Sequence, residues 1–330
     1  MKPLVSILIP CYNAAPWVAE TLESALQQTW KNIEIILVDD GSTDGSLTVA
    51  KKFEPRGVKV ISQTNRGASA ARNRAIQEAK GDFIQYLDAD DLLAPDKIEL
   101  QMQLLNCDRN SNYIASGAWA RFYNTPSEAL FKPQPLWTDM SPVEWLICAW
   151  EGNWMMHPAA WLIPRKIFEA TGFWNESLSL YDDGEYFCRA LLASKQIKFC
   201  QRAKTYYRCG NTNSLSGSKS PKAWKSAFFS LELATTNLLA MENSPRTKHA
   251  SAMCFQRFIY NAYPDVPELV KQAQAKVNSF GGVDLSPIGG PRFQLMCRLV
   301  GWKLVKRIQH LFTYLQVKEW LSMLSSIHRD

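Results

Sequence analysis

The sequence predicts an α/β fold with a mostly parallel sheet, helices on both faces of that sheet, and a helical extension at the C-terminal end. The first observation is a fourfold alternation of short, predominantly apolar runs with helix-like segments within residues 4–105. Nearly continuous apolar strands joined by helices are typical of a parallel sheet covered on both faces. The second is composition: 330 residues with 46% hydrophobic and 21% charged side chains can bury a large core, which excludes a disordered chain.

Each of the four strands is a short apolar run, and the helices between them have recognisable starts. The predicted strands span 4–9, 33–38, 58–62 and 83–87, and the predicted helices follow Pro16, cover about 44–53 and 68–80, and follow Pro95. Proline is favoured in the first turn of a helix because an N–H there would be left unpaired in any case. The third helix is rich in alanine, which favours the helical state.

The pattern changes after the fourth unit. Between 107 and 215, Trp and Tyr are frequent and Pro is scattered, which favours long loops and mixed strands over further strand–helix units. From about 220 onward the pattern is helical, with a Pro/Gly break over 281–291. We therefore expect an α/β domain over 1–215 and a helical extension over 216–330.

Composition also narrows the class of protein. The eight cysteines include no C-x-x-C pair and only four histidines are present, so zinc-binding patterns are excluded and reduced thiols in a cytosolic protein are predicted. The N-terminus enters a strand without the apolar core of a signal peptide, and no run of 18 apolar residues occurs. These features predict a cytoplasmic protein without a membrane-spanning helix.

Three carboxylates, Asp88, Asp90 and Asp91, follow the fourth strand within four positions. Clustered like charges repel one another and Asp is disfavoured in strands, so the cluster is expected where the strand runs into a turn. A bound Mg²⁺ or Mn²⁺ would neutralise it, because these ions prefer carboxylate oxygens. A solvated acidic turn that caps the next helix explains the same residues, and both interpretations stand at this point.

The loops after all four strands carry polar side chains. They are Tyr12 and Asn13, Asp39 and Asp40, Asn65, and Asp88 and Asp90. In a parallel sheet these loops gather at one edge, where ligands bind, and this favours a binding site over an acidic turn. Asp39 can accept a hydrogen bond from a nucleobase or a ribose hydroxyl, whereas Asp44 suits a helix cap better. Arg72, one turn into its helix, can point toward the same edge, although a solvated arginine is the more common case.

Several widespread motifs are absent. No G-x-G-x-x-G follows the first strand, and the sequence contains no G-x-x-x-x-G-K-[ST], H-E-x-x-H or G-x-S-x-G. A classical dinucleotide fold, a P-loop, a zinc protease and an α/β-hydrolase are therefore disfavoured. What remains is carboxylate chemistry at the edge of an α/β sheet.

Four sequence blocks together resemble the family 2 glycosyltransferases, which have the Rossmann-like GT-A fold. The blocks read VSILIPCYN from Val5, VDDGSTD from Val38, NRGASAARN from Asn65 and YLDADD from Tyr86, in the family's order and near its spacing. The resemblance is strong over 3–105. It is weaker over about 155–192, where Asp182-Asp183 falls at the family's acidic Glu-Asp position.

The resemblance implies an inverting glycosyltransferase of the hexosyltransferase type. Such an enzyme takes a sugar from a nucleotide-diphosphate donor, here a UDP-sugar, and passes it to a hydroxyl of a saccharide or lipid-linked acceptor, as in the assembly of a surface polysaccharide. The domain over 1–215 then divides into a nucleotide-sugar-binding half over 1–105 and an acceptor-binding half over 106–215.

The resemblance also implies residue roles. Asp39 contacts the nucleobase, with Arg72 nearby. Asp90 binds Mn²⁺ or Mg²⁺ with help from Asp88, which lies nearer the ribose. Asp183 is the general base that takes the acceptor's proton. Further donor contacts fall at Pro10, Tyr12, Asn13 and Asn65.

Several other candidate site residues have more than one interpretation. The base motif reads Asp-Asp instead of Glu-Asp, which leaves Glu185 as a fallback base. His157 is an additional metal ligand or an acceptor contact or, as is more common for a lone histidine among Trp and Met, a core residue. Four aromatic residues can stack on sugar rings or belong to the core: Trp154, Trp161, Trp174 and Tyr181.

The segment 292–315 is basic and amphipathic. Its positively charged or titratable residues are Arg292, Arg298, Lys303, Lys306, Arg307 and His310, and the apolar residues on one face of the predicted helix are Phe293, Met296, Val300, Leu304, Ile308 and Leu311. No acid lies between Asp284 and Glu319. The segment can contact the inner face of an anionic membrane, or pack on the domain with a solvated basic face, since Leu299 and Trp302 interrupt the polar side. No nucleic-acid-binding motif accompanies the cations, so nucleic acid is not an expected partner.

Two rival functions remain. A sugar nucleotidyltransferase shares the α/β nucleotide edge, but it would need a Gly-rich, basic triphosphate loop, and none follows the first strand. An inactive nucleotide-sugar-binding module is opposed by the presence of Asp88, Asp90 and Asp183.

Overall fold

Two sheets and a surrounding set of helices make up the fold in a computed structural model that describes residues 2–210 and 217–312. The strands are β1 (Val5–Cys11), β2 (Ile33–Asp39), β3 (Val58–Ser62), β4 (Phe83–Tyr86), β5 (Leu92–Leu93), β6 (Tyr113–Phe122), β7 (Ile163–Pro164) and β8 (Gln196–Arg208). The helices of the first part are α1 (Val18–Leu26), α2 (Ser46–Lys51), α3 (Ala68–Glu78), α4 (Lys97–Leu104), α5 (Pro142–Gly152), α6 (Arg165–Thr171) and α7 (Asp182–Leu192). They are followed by α8 (Pro221–Met241), α9 (Pro245–Ala262), α10 (Pro267–Ser279), α11 (Pro291–Val300) and α12 (302–312).

The central sheet has the strand order β3-β2-β1-β4-β7, and its first four strands are parallel. The short strand β7 pairs antiparallel with β4 at the edge. The register places Cys11, the last residue of β1, beside Asp39, the last residue of β2. The predicted mostly parallel sheet is confirmed, and the loops that leave the carboxyl ends of β1, β2 and β4 share one edge.

Side chains alternate between the two faces of this sheet because successive residues of a strand point in opposite directions. On β1, Leu8 belongs to one hydrophobic core, and Ile7 and Ile9 belong to the core on the other face. Both cores are buried, which is why the strands are predominantly apolar and why helices are needed on both sides.

A second sheet of three strands, in the order β5-β8-β6, adjoins the first. Strands β6 and β8 are parallel, and their register shifts between Gly117 and Ala118. A side chain at Gly117 would collide with the backbone of Ala203, so the close approach of the two strands requires glycine there. The mixed strands expected between 107 and 215 are therefore longer and more regular than the scattered prolines suggest, with 10 residues in β6 and 13 in β8.

The helices after residue 220 do not form a separate layer. Ala234 and Leu238 of α8 are buried in the same core as Ile36 and Tyr86 of the central sheet. A third cluster joins α8, α9 and α10, and Leu180 from the loop before α7 lies in it. The division at 215 and 216 thus stays a prediction, while the packing across it is continuous.

The predicted helix over 292–310 is interrupted. Gly301 has a φ of +80°, a left-handed conformation that glycine adopts readily, and it separates α11 from α12. Trp302 at the start of α12 packs edge-on against the rings of Tyr260 and Tyr263, at centroid distances of 4.8 and 5.3 Å. Within the described residues no helix is long and apolar enough to cross a membrane. Residues 313–315 of the predicted basic segment lie outside the described residues.

Candidate active site

Asp39 is the last residue of β2, at the shared sheet edge, and only one of its two carboxylate oxygens has a hydrogen-bond partner. One carboxylate oxygen accepts a hydrogen bond from the backbone N–H of Ser42 at 3.3 Å, and the other is buried without a hydrogen-bond partner. The residue is 1% exposed. Because a buried carboxylate oxygen without a partner is costly, this oxygen is suited to accept an N–H or O–H from a ligand.

The neighbouring Asp40 has a structural role. Its carboxylate accepts hydrogen bonds from the backbone N–H groups of Arg66 and Gly67, at 2.9 and 2.8 Å, and from the side chain of Gln63 at 2.8 Å. Asp40 thereby fixes the loop after β3, which carries the exposed Asn65, against the turn after β2.

The loop after β1 is tied to the same turn. Asn13 adopts a φ of +48°, and its side-chain oxygen accepts a hydrogen bond from the N–H of Thr43 at 2.9 Å. Tyr12, beside it, is exposed, and Pro10 lies within β1 opposite Val38. The predicted donor residues of the first three loops are therefore brought to one edge, with Asn13 committed to holding the loops together.

Arg72 on α3 is buried and joins two parts of the site. Its guanidinium donates to Asp88 at 2.8 Å and to Asp182 at 3.0 Å, and it lies over the ring of Trp174 at 4.4 Å. Burial lowers the pKa of Arg72, but the two carboxylates outweigh this effect and raise it, so the group stays charged. Contrary to the common case, this arginine is not solvated, and its contacts favour a role in holding the carboxylates over direct contact with a nucleobase.

The carboxylates after β4 have different surroundings. Asp91 is buried, and its side chain accepts a hydrogen bond from the backbone N–H of Arg208 at 2.8 Å and contacts His157 Nδ1 at 3.3 Å. Burial raises the pKa of Asp91 well above its ordinary range. Asp88 and Asp90 are half-buried at the sheet edge. The structure therefore leaves these two carboxylates nearer to solvent and makes Asp91 part of the core.

His157 has the contacts of a core residue. It is 1% exposed, and its Nε2 lies 2.8 Å from the hydroxyl of Thr205. Burial lowers its pKa to about 3, so the ring is neutral. Since both ring nitrogens have protein partners, the structure favours the core interpretation of His157 over a metal ligand.

Asp182 and Asp183 begin α7, directly after Tyr181, which adopts the strained left-handed φ of +63°. Asp182 accepts hydrogen bonds from Arg72 and, at 3.0 Å, from Ser69. The pKa of Asp183 is raised to about 6, chiefly by burial and then by the negative charge of Asp182, while Arg72 opposes the rise. A carboxyl with this pKa suits a general base near neutral pH.

Glu185 is less suited to that role. Its carboxylate is buried and paired with Arg189 at 2.5 and 2.8 Å, and Arg189 also donates to the carbonyl oxygen of Phe173 at 3.0 Å. The fallback base is therefore part of a bridge that fastens α7 to the preceding loop.

The predicted sugar-stacking aromatics fall into two groups. Trp161 and Trp174 are fully packed in the core, where Trp174 stacks on Tyr186 with ring centroids 4.1 Å apart. Trp154 and Tyr181 are exposed. Only the second pair offers a ring face to a ligand in this structure.

Two serines that the sequence did not single out hold the loop before α7. Ser226 of α8 accepts hydrogen bonds from the N–H groups of Ser179 and Leu180, at 2.7 and 3.1 Å. Ser230, one turn later, donates to the carbonyl oxygen of Tyr181 at 2.6 Å. No motif could have found them, because they contact the site through the backbone of a segment far away in the sequence.

The charge balance of the site can be read from these contacts. Asp88, Asp182 and Asp183 contribute three carboxylates, and Arg72 is the guanidinium between them. Three carboxylates thus face one guanidinium, and carboxylate oxygens are the ligands that Mg²⁺ and Mn²⁺ prefer. Among the described residues, no group of three or more His, Cys, Asp or Glu is placed to hold a metal ion alone.

Comparison with known proteins agrees with this arrangement. The model of the family described as glycosyl transferase family 2 matches residues 6–172, which is about half of the 330 residues. The chain belongs to this family. It is therefore a glycosyltransferase, and the expected family and enzyme class are confirmed.

Relatives of this glycosyltransferase carry related names. An uncharacterized glycosyltransferase of Rickettsia typhi is 34% identical over 58% of this chain and 60% of that protein. The glycosyltransferase GlyG of Streptococcus pneumoniae is 31% identical over 63% of this chain and 71% of that protein. The chain spans less than two thirds of the R. typhi relative and 31% of one from Rickettsia felis.

The fold of this glycosyltransferase is similar to that of S. aureus TarS. The match to TarS residues 1–349 in complex with UDP-GlcNAc has a TM-score of 0.61 at 16% identity and covers 85% of this chain and 89% of that one. The match to the complex with UDP has a TM-score of 0.58. At this identity the similarity shows a common fold, which confirms the expected α/β architecture.

Proposed function

We propose that this glycosyltransferase moves a sugar from a UDP-sugar to a hydroxyl of a saccharide or lipid-linked acceptor with inversion at the sugar carbon. One observation carries the proposal. Asp183, with a pKa raised to about 6, lies beside Asp182, which Arg72 links to Asp88 at the nucleotide edge of the sheet. A proton acceptor and a donor site are thereby joined in one cluster.

The nucleotide part of the donor fits the edge formed by β1 and β2. The buried, unpartnered oxygen of Asp39 would accept the N–H of a nucleobase, and Tyr12 offers an exposed ring beside it. Asn13 and Asn65 shape this edge, and Asp88 would lie nearer the ribose. TarS, whose fold is similar, is known in complexes with UDP and UDP-GlcNAc, and this supports uridine as the nucleoside.

A divalent ion fits the carboxylates at the end of β4. Asp90, with Asp88 beside it, would hold Mn²⁺ or Mg²⁺ together with oxygens of the diphosphate. When bound there, such an ion offsets the charge that develops on the leaving diphosphate. The half-buried position of both carboxylates supports this assignment, whereas Asp91 and His157 are already satisfied in the core.

The acceptor fits the side of the site that faces α7. Tyr181 precedes the base and exposes its ring, and Trp154 is exposed as well, so either can pack against a sugar. A cavity of about 290 Å³ in the acceptor half is lined by Trp119, Arg121 and Lys132, among others. It has room for part of a saccharide.

The base acts in one step. The acceptor hydroxyl attacks the sugar carbon from the face opposite the leaving diphosphate, which inverts the configuration at that carbon. Its proton passes to a carboxylate oxygen of Asp183 as the new bond forms. Asp182 is engaged by the side chains of Arg72 and Ser69, whereas the carboxylate of Asp183 accepts a hydrogen bond from the backbone N–H of Gly184 at 2.8 Å, so Asp183 is the better placed base.

No observation favours the two rival functions. The family match opposes a sugar nucleotidyltransferase, and the arrangement of Asp88, Asp90 and Asp183 opposes an inactive binding module. We further propose action at the cytoplasmic side, where nucleotide sugars are made, in the assembly of a surface polysaccharide.

The proposal is tested with two substitutions at the site. Asp183→Asn should leave UDP–Mn²⁺ affinity, measured by calorimetry, within about twofold, and should lower sugar transfer or donor hydrolysis about 10²- to 10⁴-fold. Asp90→Asn should weaken the Mn²⁺-dependent part of UDP binding at least about tenfold, because a direct ligand is lost.

The control is Asp139→Asn, which removes an exposed carboxylate paired with Lys198 outside the site. It should change neither quantity. Near-normal turnover of Asp183→Asn would move the base elsewhere, and unchanged Mn²⁺-dependent binding in Asp90→Asn would refute the metal assignment. A panel of nucleotide sugars screened for metal-dependent hydrolysis in the unmodified protein identifies the donor.

A further inference from the structure

The described part of the chain concentrates its exposed apolar side chains on α11 and α12. Of nineteen exposed large hydrophobic residues, eight lie within these two helices. They are Leu295, Met296, Leu299, Val300, Leu304, Ile308, Leu311 and Phe312, and their exposures range from 38% to 69%. These eight residues are called the C-terminal apolar surface below. Scattered single residues would need no explanation, but a contiguous group of this kind marks an interaction site.

The exposed residues follow the helical repeat. On α12 they recur at Leu304, Ile308 and Leu311, and on α11 Leu295 is followed one turn later by Leu299. Residues spaced by three or four positions share one face of a helix. Each helix therefore turns a continuous apolar face outward.

The opposite face of α12 packs on the rest of the protein. Trp302 packs on the rings of Tyr260 and Tyr263, and Val305 is buried. On α11, the side chain of Gln294 donates to the carbonyl oxygen of Pro287 at 2.7 Å. Helix α12 thus has a partner on one side, whereas α11 has no buried residue. The apolar surface of both helices is uncovered within the described residues.

Positive charge flanks this surface. The sequence has no Asp or Glu between Asp284 and Glu319, and its cations there include Arg292, Arg298 and Lys303. None of these three takes part in an ion pair among the described residues, whereas His310 pairs with Asp265 at 3.0 Å. Exposed apolar residues with unpaired cations next to them in the sequence complement a layer whose interior is apolar and whose surface carries negative charge.

We propose that the C-terminal apolar surface lies on a lipid bilayer that contains anionic lipids. Amphipathic helices bind in the interface by inserting their apolar face between the headgroups, while their cations contact lipid phosphates. The break at Gly301 gives two short helices, each with its own outward face. The packed-helix alternative describes only the inner face of α12, because the outer face is apolar and not a solvated basic face. This inference goes beyond the transfer reaction and does not depend on Asp183.

Vesicle co-sedimentation of the full chain tests the proposal. The probe is a set of phosphatidylcholine vesicles with and without phosphatidylglycerol. The chain should bind the anionic vesicles, and the double variant Leu299→Glu/Leu304→Glu should bind them at least about tenfold more weakly, because it places two charges in the apolar face. Both positions are exposed, so the fold should be retained, as checked by the melting temperature and by donor hydrolysis.

Met241→Glu is the control, since Met241 is an exposed apolar residue at the end of α8 and lies outside the C-terminal apolar surface. It should bind vesicles like the unmodified chain. The variant Arg298→Gln/Lys303→Gln tests the charges and should weaken binding to anionic vesicles about fivefold for each cation removed, with no change for neutral vesicles.

Two results would overturn the proposal. One is sedimentation of the full chain with anionic vesicles that Leu299→Glu/Leu304→Glu leaves unchanged. The other is an absence of binding to anionic vesicles. If sedimentation velocity then shows a dimer that the same variant converts to monomer, a second copy of the chain covers the surface instead.

Discussion

Arg72 binds carboxylates from two distant parts of the chain, Asp88 after β4 and Asp182 at the start of α7. A guanidinium can do so because its N–H groups point in fixed directions, whereas an ammonium group is a single point charge. The geometry of the donor side and the geometry of the base side are therefore set by one side chain.

Replacing Arg72 should destabilise the protein. Arg72→Met is expected to lower the free energy of unfolding by about 3 kcal/mol, because two largely buried carboxylates lose their counter-charge. Arg72→Lys should recover only part of the loss, since lysine cannot bind both acids in the same geometry. Urea unfolding measures both values.

Arg74 provides the control on the same helix. It forms an exposed pair with Glu78, so Arg74→Met should cost no more than about 0.5 kcal/mol. Equal losses for the substitutions at Arg72 and Arg74 would contradict a central role for Arg72.

Asp183 predicts a specific dependence on pH. Because its pKa is raised to about 6, kcat/KM should rise with pH through an acidic limb centred near that value, as the base loses its proton. The same shift affects stability. A carboxyl whose pKa is higher in the folded state stabilises the fold at pH below about 4, and this contribution is lost as the pH rises through about 6.

Asp183→Asn should therefore stabilise the protein at pH 8, by about 1 kcal/mol after allowance for the partial exposure of the side chain, and should not do so at pH 3. Thermal unfolding at the two pH values measures the difference. A loss of stability at pH 8 would show that burial of the charged form is not a cost in this site.

At the scale of elements, α8 reaches into the site through its contacts with the loop before α7. Ser226 and Ser230 bind the backbone of residues 179–181, and Tyr181 there has a strained left-handed conformation. Strain of this kind persists only where the surroundings fix it. The two serines thus determine where α7 begins and how Asp183 is presented.

Substituting these serines should affect turnover more than donor binding. Ser226→Ala/Ser230→Ala is expected to lower kcat about tenfold and to leave UDP–Mn²⁺ affinity within about twofold, because the base is misplaced while the nucleotide edge is intact. Ser251→Ala on α9 is the control: Ser251 is equally buried, but its hydroxyl donates only within its own helix, at 2.7 Å to Thr247. A similar fall in kcat for that control would show a general loss of stability instead.

The sequence predicts the elements of the first hundred residues well and the later ones less well. The strands β1 to β4 begin and end within about two residues of expectation, because each is a local apolar run bounded by turn residues. Strands β6 and β8 are distant in the sequence, so the local pattern of apolar residues could not predict that they pair. The break at Gly301 was missed because the apolar spacing continues across it.

The same reasoning applies to the candidate site. Asp39, Asp88 and Asp90 follow strands of a predicted parallel sheet, so their shared edge could be predicted. The burial of Arg72 could not, since arginine is usually solvated and its two partners belong to different segments. The contacts of His157 could not be predicted either, because its partner Thr205 lies on β8, far away in the sequence.

At the scale of the whole molecule, the helices after residue 220 complete the core of the α/β domain. Ala234 and Leu238 of α8 lie in the core that contains Ile36 and Tyr86, whereas α11 has no buried residue. The chain can therefore lose its last helices more easily than it can lose α8.

Two truncations test this difference. A chain that ends at residue 290 should fold with a melting temperature within a few degrees of the full chain. Among the described residues it loses few contacts, chiefly the packing of Trp302 and Val305 and the pair of His310 with Asp265. A chain that ends at residue 219 should not fold cooperatively, because several buried side chains worth about 2–5 kcal/mol each are removed from the core. A cooperative unfolding transition of the shorter chain would support an independent domain over 1–215.

The sharing of Arg72 has a thermodynamic consequence. Its charge acts on Asp88, on Asp182 and on Asp183, so the proton affinity of the base and the occupancy of the donor site cannot be independent. Any factor by which a bound donor changes the proton affinity of Asp183 must reappear as an equal factor by which protonation of Asp183 changes the donor's affinity. Donor binding and proton uptake by Asp183 therefore affect each other equally. Measuring the affinity for the donor as a function of pH gives the coupling free energy that the Arg72 guanidinium transmits.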